Sequence, residues 1–422
     1  ISACLVGSEM CIRDRFYICD ALGFWGKHAA GYLADQRVRS GSPLWIGRSV
    51  SVGYDPLGVV GVIAPWNFPL ALGFGDSIPA LMAGNAVVLK PSSVTPLSSL
   101  MVERGWREIG GPPEIFRVAA GPGGTGAALV DAADMIMFTG SVQTGRTIMR
   151  QAADRLIPVS LELGGKDPMI VLDDANIDRA ARLAVQFAFW NSGQICQSVE
   201  RVYVEAPVHD AFIERVMFHT ARARQGPPGD PGTVEVGAMA WLPQLDVVEA
   251  HVADARARGA RVLCGGRRRG GEGLFFEPTV LADVNHEMLV MTEETFGPVL
   301  PIMKVESESE AIRLANDSNY GLNSSVFTAD LDRGRRVARA LEVGNTCVND
   351  AVVNSGVLEA PFASAKQSGL GGRNGPHGIR KYCQQQTVLV TSRLAARFDP
   401  LGWPNAATRT RLIERLIARL WG

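Results

Sequence analysis

Two short motifs contain the residues of this sequence that could do covalent chemistry. Cys196 ends the run NSGQIC (191–196), and Glu162 lies 34 residues earlier, in the run LELGGK (161–166). A thiolate is a strong nucleophile near neutral pH, and a separate carboxylate can take a proton from water. The two residues could therefore form an acyl-cysteine intermediate and then hydrolyse it.

Each residue also has an interpretation without chemistry. A lone cysteine is usually a small buried hydrophobe, and a glutamate at a strand end is usually solvated. The Gly-Gln pair before Cys196 and the two glycines after Glu162 favour the chemical interpretation, because paired glycines let the backbone approach a ligand closely. A cysteine protease would need a histidine, and none of the six lies in a recognisable motif. No pair of His or Cys has metal-ligand spacing.

Further motifs follow in a fixed order: WNFP (66–69), FTGS (138–141), ETFGP (294–298) and PF (361–362). Together with the first two motifs they resemble the NAD(P)-dependent aldehyde dehydrogenases, from about Phe16 to Val390. The resemblance implies that Cys196 attacks the aldehyde, that Asn67 and the Cys196 N–H bind the oxyanion, and that Glu162 activates water. The product would be a free carboxylic acid.

The resemblance also implies NAD or NADP as the hydride acceptor. The expected binding residues lie at strand ends and at the start of the helix after FTGS. They are Ala64, Pro65, Trp66, Lys90, Ser92, Ser93, Gly140, Ser141, Gly145, Leu163, Gly164, Glu294 and Phe296. Lys90 would bond the adenosine ribose, and Glu294 the nicotinamide ribose. NAD-preferring relatives commonly carry Glu at the position of Ser93, so acceptance of NADP is expected.

A Gly-rich string, GPGGTG (121–126), also matches the dinucleotide pattern G-x-G-x-x-G. A single match of this kind is weak, and no acidic residue follows it at a strand end at the expected distance of about 20 residues. An ordinary strand-to-helix turn is therefore the preferred interpretation of this string.

Short apolar runs that end near Gly, Pro or Ser predict buried parallel strands. The first set is Leu57–Ala64, Ala86–Leu89, Phe116–Ala120, Met135–Phe138 and Val159–Leu163, with helices over Asp76–Ala83 and Ser98–Ile109. The second is Met169–Leu172, Arg201–Glu205, Arg261–Cys264, Val299–Val305 and Ser324–Phe327, with helices over Gln244–Arg258, Glu308–Asn316 and Asp332–Leu341. The predicted fold class is α/β, with a doubly wound parallel dinucleotide-binding sheet and a second α/β domain that contains Cys196.

The predicted boundaries are 16–44 and 55–165 for the dinucleotide-binding domain and 166–370 for the catalytic domain. In the family, strands equivalent to 45–54 and 381–391 form an arm that pairs with another subunit, so a homodimer or homotetramer is expected. The tail, 392–422, contains apolar residues at helical spacing between arginines. For this amphipathic helix, a packing or oligomer contact is preferred to a membrane surface.

Composition and the N-terminus restrict the class of protein. The 422 residues are 46% hydrophobic with a net charge of −1, which gives no bias toward nucleic acid, and no apolar run predicts a membrane span.

Residues 1–15 contain LVGSEMCIRD (5–14), which looks like a translated sequencing adaptor on a truncated chain. Two of the seven cysteines lie there, and the other five are irregularly spaced, which predicts free thiols and a cytoplasmic protein.

The substrate is defined less well than the reaction. Residues 360–382 resemble a bacterial branch labelled succinate-semialdehyde dehydrogenase, but the arginines that bind the carboxylate in such enzymes would align with Gly75 and Trp190, and a serine with Val357. A carboxylate buried without its arginine is unstable, so an apolar or aromatic aldehyde is predicted, with succinate semialdehyde as the alternative. A non-catalytic protein on the same fold is disfavoured, because all three expected catalytic residues are present.

Overall fold

The computed structural model describes residues 8–41, 45–227, 229, 233–397 and 407–421. The helices among them are α1 (Ser8–Leu33), α2 (Phe74–Met82), α3 (Leu97–Glu108), α4 (Gly123–Ala132), α5 (Val142–Arg155), α6 (Ile177–Phe189), α7 (His209–Thr220), α8 (Leu242–Ala257), α9 (Leu289–Thr292), α10 (Glu308–Asn316), α11 (Leu331–Ala340), α12 (Gly375–Arg380) and α13 (Ala407–Trp421). The strands are β1 (Gln36–Val38), β2 (Arg48–Pro56), β3 (Val59–Ile63), β4 (Ala86–Lys90), β5 (Phe116–Val118), β6 (Met135–Thr139), β7 (Val159–Glu162), β8 (Asp167–Val171), β9 (Val199–Glu205), β10 (Arg261–Cys264), β11 (Thr279–Ala282), β12 (Val299–Val305), β13 (Tyr320–Gly321), β14 (Ser325–Phe327), β15 (Cys347–Val348), β16 (Phe362–Ala363), β17 (Ala365–Lys366), β18 (Gly369–Leu370), β19 (Gly372–Arg373) and β20 (Cys383–Thr391).

The first large sheet has the strand order β18-β7-β6-β3-β4-β5. Its neighbours are parallel except for β18 and β7. Side chains of α1 and α2 pack on one face and side chains of α4 and α5 on the other. Strands buried on both faces are apolar along their whole length, which is why the sequence predicted them.

The order in which the chain adds strands to this sheet reverses between β3 and β6, which are parallel neighbours. β4 and β5 extend the sheet on one side of β3, and the chain then returns to form β6 and β7 on the other side. Loops that leave the carboxyl ends of two such strands diverge and leave a crevice between them. The loop from residue 64 after β3 and the loop from residue 140 after β6 border this crevice.

The second large sheet has the order β10-β11-β12-β9-β8-β14-β15, and only β10 is antiparallel to its neighbour. Apolar cores lie on both of its faces. The segment 163–166 joins β7 of the first sheet directly to β8 of the second. Glu162 therefore ends a strand of one sheet, whereas Cys196 precedes β9 of the other. The predicted α/β fold class with two parallel sheets is confirmed.

A small antiparallel sheet of order β1-β2-β20 contains both predicted arm segments. Most of β20 is exposed, and β20 lies at the edge of its sheet. In the N-terminal segment interpreted as adaptor-derived, residues 8–15 form the start of α1, and Asp14 accepts hydrogen bonds from the backbone N–H groups of Leu70 and Ala71 at 3.2 and 2.8 Å. Residues 1–7 and part of the tail, 398–406, lie outside the described ranges. Within those ranges, every helix is too short or too polar to cross a membrane.

Candidate active site

Cys196 lies just after a tight turn between α6 and β9. Residues 191–193 all have left-handed backbone, with φ of 51°, 55° and 73°. A Cβ at Gly193 would overlap the carbonyl of Gly297, so only glycine fits at this close approach. The fully buried Gln194 side chain closes the turn by accepting an N–H from residue 240 and donating to the carbonyl of residue 191, each at 2.8 Å. The sequence thus folds into a strained loop that presents the thiol.

Two cavities meet at Cys196. The first, which we call the crevice cavity, has a volume of about 150 Å³ and opens at the crevice of the first sheet. The second, which we call the aromatic cavity, has a volume of about 160 Å³. Cys196 and Leu72 line both of them. The thiol can therefore be reached from two sides.

The crevice cavity brings together most of the residues expected at a dinucleotide. Its lining includes Pro65, Trp66, Asn67, Gly140, Ser141, Leu163, Gly164, Cys196, Glu294 and Phe296. It also includes Leu72, Thr139, Trp241 and Gln244, which the sequence analysis missed. Leu72 lies three residues after the WNFP motif and Thr139 lies within the FTGS motif, so both motifs could have indicated them. Trp241 and Gln244 lie at the start of α8, where no motif distinguishes them.

The polar groups that line this cavity suit the phosphates and sugars of a dinucleotide. Ser141 caps α5 by accepting the Thr144 N–H at 3.3 Å, so the amino end of this helix faces the crevice and can receive a pyrophosphate. On the opposite wall, the Glu294 carboxylate accepts the Gly165 N–H at 3.0 Å. A Cβ at Gly164 would overlap this carboxylate. Burial and the nearby Glu200 charge raise the pKa of Glu294 to about 8.

Five expected cofactor residues do not line the crevice cavity. Ala64 and Lys90 lie at the ends of neighbouring strands, joined by a hydrogen bond from the Ala64 N–H to the Lys90 carbonyl at 3.0 Å. Lys90 is buried, and burial lowers its pKa. Ser92 accepts the N–H of residue 94 at 3.2 Å, and Ser93 beside it is exposed. Gly145 lies inside α5, packed against Leu163.

The Gly-rich string 121–126 does not line the crevice cavity either. It joins the end of β5 to the start of α4. This position agrees with its interpretation as a strand-to-helix turn.

Two hydrogen-bond donors lie next to the thiol. The Asn67 amide donates one hydrogen to the Gln194 carbonyl at 2.9 Å and retains a second hydrogen. Among the described residues, the backbone N–H of Cys196 has no hydrogen-bond partner. Asn67 and Cys196 both line the crevice cavity, so both donors belong to residues of the same cavity wall as the thiol.

Glu162 is buried, whereas Cys196 is half-buried. Burial raises the pKa of the Cys196 thiol to about 12, although nearby Arg373 opposes the shift. Burial also raises the pKa of Glu162, with Arg373 and Lys381 opposing. The Glu162 carboxyl lines neither cavity, and its Oε2 lies 3.4 Å from Nη1 of Arg373. In this arrangement the neutral form of the thiol is favoured, and the Glu162 carboxyl contacts Arg373.

The aromatic cavity is built from rings on distant parts of the chain. Tyr17, Phe68, Trp190 and Phe362 line it, and the rings of Phe68 and Trp190 pack edge to face at 6.0 Å. The sequence analysis singled out Gly75, Trp190 and Val357 for substrate binding, and of these three only Trp190 lines the aromatic cavity. Gly75 packs instead against Tyr17, and Val357 is 46% exposed outside the cavity.

One cation lines the aromatic cavity as far as the described residues define it. This is Arg373, and its guanidinium is bonded to the Asp76 carboxylate at 2.7 and 2.8 Å. No group of three or more His, Cys, Asp or Glu side chains within the described ranges is arranged to hold a metal ion. The groups available for chemistry at this site are therefore a thiol, a carboxylate and amide donors, beside the crevice of the first sheet.

The chain matches the model of the "Aldehyde dehydrogenase family" over residues 14–388. A relative from Mycolicibacterium smegmatis, named "Putative succinate-semialdehyde dehydrogenase, NADP(+)", is 43% identical over 97% of this chain and 79% of its own. The "4,4'-diapolycopene aldehyde oxidase" of a Methylomonas species is 40% identical over 96% of this chain and 75% of its own. The crystal structure of a Mycobacterium tuberculosis aldehyde dehydrogenase complexed with NAD+ superposes with a TM-score of 0.82 at 35% identity, covering 88% of this chain and 76% of that one.

This chain belongs to the aldehyde dehydrogenase family. It is an enzyme that oxidises an aldehyde with NAD or NADP as the hydride acceptor. The resemblance inferred from the motifs is thereby confirmed.

Proposed function

We propose that Cys196 is the nucleophile, Asn67 an oxyanion donor and Glu162 the base of this reaction. The position of Cys196 between two cavities is the observation that supports the proposal, because the aldehyde and the dinucleotide can then approach one sulfur from different sides. The thiol passes its proton to a water molecule as its sulfur bonds to the aldehyde carbon and the C=O π electrons move to the oxygen. The Asn67 amide and the Cys196 N–H then stabilise the oxyanion of the thiohemiacetal.

The second half of the reaction is hydrolysis. When bound, the oxidised nicotinamide supplies the hydride acceptor. The thiohemiacetal carbon loses its hydride, which leaves a thioester on Cys196. Glu162 turns toward the thioester and takes a proton from water, whose oxygen bonds to the acyl carbon while the C–S bond breaks. Glu162 returns its proton to the departing sulfur, so the products are a carboxylic acid and the regenerated thiol.

We propose that the crevice residues divide the dinucleotide between them. The amino end of α5, at Gly140, Ser141 and Gly145, would hold the pyrophosphate, and Lys90 with Ser92 and Ser93 would face the adenosine ribose. Glu294 would bind the nicotinamide ribose. Ala64, Pro65, Trp66, Leu163, Gly164 and Phe296 would enclose the rest. Ser93 has no charge to repel a 2′-phosphate, and the NADP(+) in the name of the M. smegmatis relative supports use of that cofactor.

We propose an apolar or aromatic aldehyde as the substrate. The pairing of Arg373 with Asp76 is the observation that supports this class. A carboxylated aldehyde would need a free cation in the aromatic cavity, and Arg373 already carries a bidentate carboxylate partner. Lys366 cannot replace it, since it bonds the carbonyls of residues 316 and 318 and the Glu342 carboxylate elsewhere.

Succinate semialdehyde is the alternative substrate, favoured by the name of the M. smegmatis relative. The name of the Methylomonas relative points instead to a long apolar aldehyde. The decisive experiment measures kcat/KM for benzaldehyde, a medium-chain aldehyde and succinate semialdehyde with each cofactor. A higher value for the two uncharged aldehydes is expected. A higher value for succinate semialdehyde would show that the enzyme has a cation for the carboxylate.

We further propose a homodimer or homotetramer that works in the cytoplasm. The exposed edge strand β20 supports the assembly, because an unpaired edge can accept a strand from a second copy. The free thiols of the described cysteines support a reducing compartment. Light scattering of the purified protein would test the assembly.

A further inference from the structure

A charged cluster lies directly behind Glu162. Arg373, on β19, donates from Nε to Asp76 Oδ1 at 2.7 Å and from Nη2 to Asp76 Oδ2 at 2.8 Å. Its remaining nitrogen, Nη1, lies 3.4 Å from Glu162 Oε2. The side chains of Arg373, Asp76 and Glu162 have relative exposures of only 12%, 7% and 3%. One buried guanidinium therefore faces two buried carboxylates.

The two carboxylates are held differently. Asp76 accepts a bidentate pair of short hydrogen bonds, which fixes the guanidinium in one orientation. Glu162 has only a longer ion-pair contact, beyond the range of about 2.7–2.9 Å for charge-assisted hydrogen bonds. Its other oxygen, Oε1, is buried and has no hydrogen-bond partner among the described residues. Glu162 is thus attracted to Arg373 but is not locked to it.

We infer that Asp76 and Arg373 are a positioning pair for Glu162. Arg373 holds the carboxylate in a resting orientation away from both cavities, and Asp76 offsets the charge of Arg373 so that the carboxylate can leave to activate water. This inference rests on the proposed role of Glu162 as the base. It adds to the hydrolytic step two residues that lie outside the motifs of the sequence analysis.

The charges around Glu162 determine the direction of each test. Arg373 and Lys381 favour its ionised form, whereas burial and Asp76 favour its neutral form. Lys381 donates to Ser160 Oγ at 3.2 Å, and burial lowers the pKa of this lysine to about 8. The other titratable groups beside the cluster are Tyr17, Tyr382 and Cys196, and burial raises the pKa of each of them.

The experiment follows hydrolysis of the acyl-enzyme as a function of pH. Limiting aldehyde and excess cofactor produce one turnover, and quenched samples are weighed by intact mass spectrometry to follow the acyl group on Cys196. Asp76→Asn removes a negative neighbour, so the acid limb of the hydrolysis rate should move to lower pH by about one unit, with a plateau about ten-fold slower. Arg373→Gln removes the positive neighbour, so the limb should move to higher pH by about one unit or more.

The double variant, Asp76→Asn with Arg373→Gln, removes both charges and should return the limb toward its parental position. This variant also leaves neither Asp76 nor Arg373 as a buried charge without its partner, so it keeps the test valid if a single variant folds poorly. Arg104→Gln is the matched control, because Arg104 is paired only with Glu108 on the exposed face of α3. It should leave the pH profile unchanged.

Opposite shifts for the two single variants support the inference, since a purely structural role would lower the rate without moving the limb in two directions. Limbs that stay in place, or that move the same way, overturn it. Glu162→Gln separates this inference from the proposed function. If that variant hydrolyses the acyl-enzyme at the parental rate, Glu162 is not the base. If it is slow while the charge variants do not shift the limb, only the positioning pair is wrong.

Discussion

The crevice cavity and the aromatic cavity have nearly equal volumes and share Cys196, but they are assembled in different ways. The crevice cavity is lined mainly by loops that follow the carboxyl ends of β3, β6 and β7, at the point where the first sheet reverses its strand order. The aromatic cavity takes its rings from α1, the loop after β3, the end of α6 and β16. The position of the crevice cavity is therefore set by the sheet topology, whereas the aromatic cavity depends on where individual side chains pack.

This difference explains what each cavity can specify. Backbone N–H groups at the amino end of α5 and a half-buried carboxylate at Glu294 suit the phosphates and sugars that every dinucleotide has in common. Packed rings at Phe68 and Trp190 discriminate by shape and polarity. We therefore expect substitutions in the crevice to alter cofactor use and substitutions in the aromatic cavity to alter aldehyde preference, with the shared thiol required for both.

The largest effect is expected for Cys196→Ala, which removes the residue that the two cavities share. Aldehyde oxidation should fall by about 10³-fold or more, because the nucleophile has no substitute, while NAD(P)H binding measured by fluorescence should change little. Cys19→Ala, at an exposed cysteine, is the control and should keep parental activity. Turnover above a few per cent in Cys196→Ala would exclude this cysteine as the nucleophile.

Glu162→Gln should have the next largest effect, and only on the step after hydride transfer. Hydrolysis of the thioester should slow by about 10²-fold or more, so NAD(P)H should appear as a burst of about one equivalent per active site. Stopped-flow absorbance measures the burst, and intact mass spectrometry should find the acyl group on Cys196. Steady turnover at the parental rate, with no burst, would remove Glu162 from the mechanism.

A matched pair of tryptophans tests the division between the cavities. Trp190 lines the aromatic cavity, and Trp241 lines the crevice cavity 6.4 Å from Trp66. Trp190→Ala should lower kcat/KM for benzaldehyde by about ten-fold or more with little change in the KM of the cofactor, since it removes ring contacts to the aldehyde. Trp241→Ala should raise the KM of the cofactor and change kcat/KM for benzaldehyde little. Equal effects of both variants on both parameters would contradict the division.

The smallest expected effect belongs to Ser93→Glu. The new carboxylate should repel the 2′-phosphate and accept ribose hydroxyls, shifting the ratio of NAD to NADP efficiency by about ten-fold, or about 1.4 kcal/mol. Ser93→Ala is the uncharged control. An unchanged ratio in the Glu variant would mean that the exposed loop at Ser93 does not face the ribose.

The sequence predicted the crevice better than the aromatic cavity for a physical reason. Buried parallel strands are apolar on both faces, so β3 was expected at Leu57–Ala64 and lies at Val59–Ile63. Because the carboxyl ends of such strands meet at one edge, the motifs that follow them were expected to lie together. Topology alone therefore placed most of the residues that line the crevice.

No comparable periodicity marks the aromatic cavity. Tyr17 and Phe362 are single residues on distant elements, and only tertiary packing brings them together. Gly75 and Val357 were singled out for the substrate by their place in the sequence, which does not give the direction of a side chain. Arg373 was missed because a lone arginine in a loop-rich segment is usually solvated, and only the structure shows its buried contacts with Asp76 and Glu162.

The wall between the two cavities has a consequence for chemical probes. Cys196 and Leu72 are the residues that face both sides. A reagent that alkylates the Cys196 sulfur therefore has two directions of growth. Extension past the Phe68 ring would make it selective among enzymes of different aldehyde preference, whereas extension toward Glu294 would make it compete with the dinucleotide. Added cofactor would distinguish the two directions in a library of thiol-reactive fragments, because it would slow the alkylation of Cys196 only by fragments that extend toward Glu294.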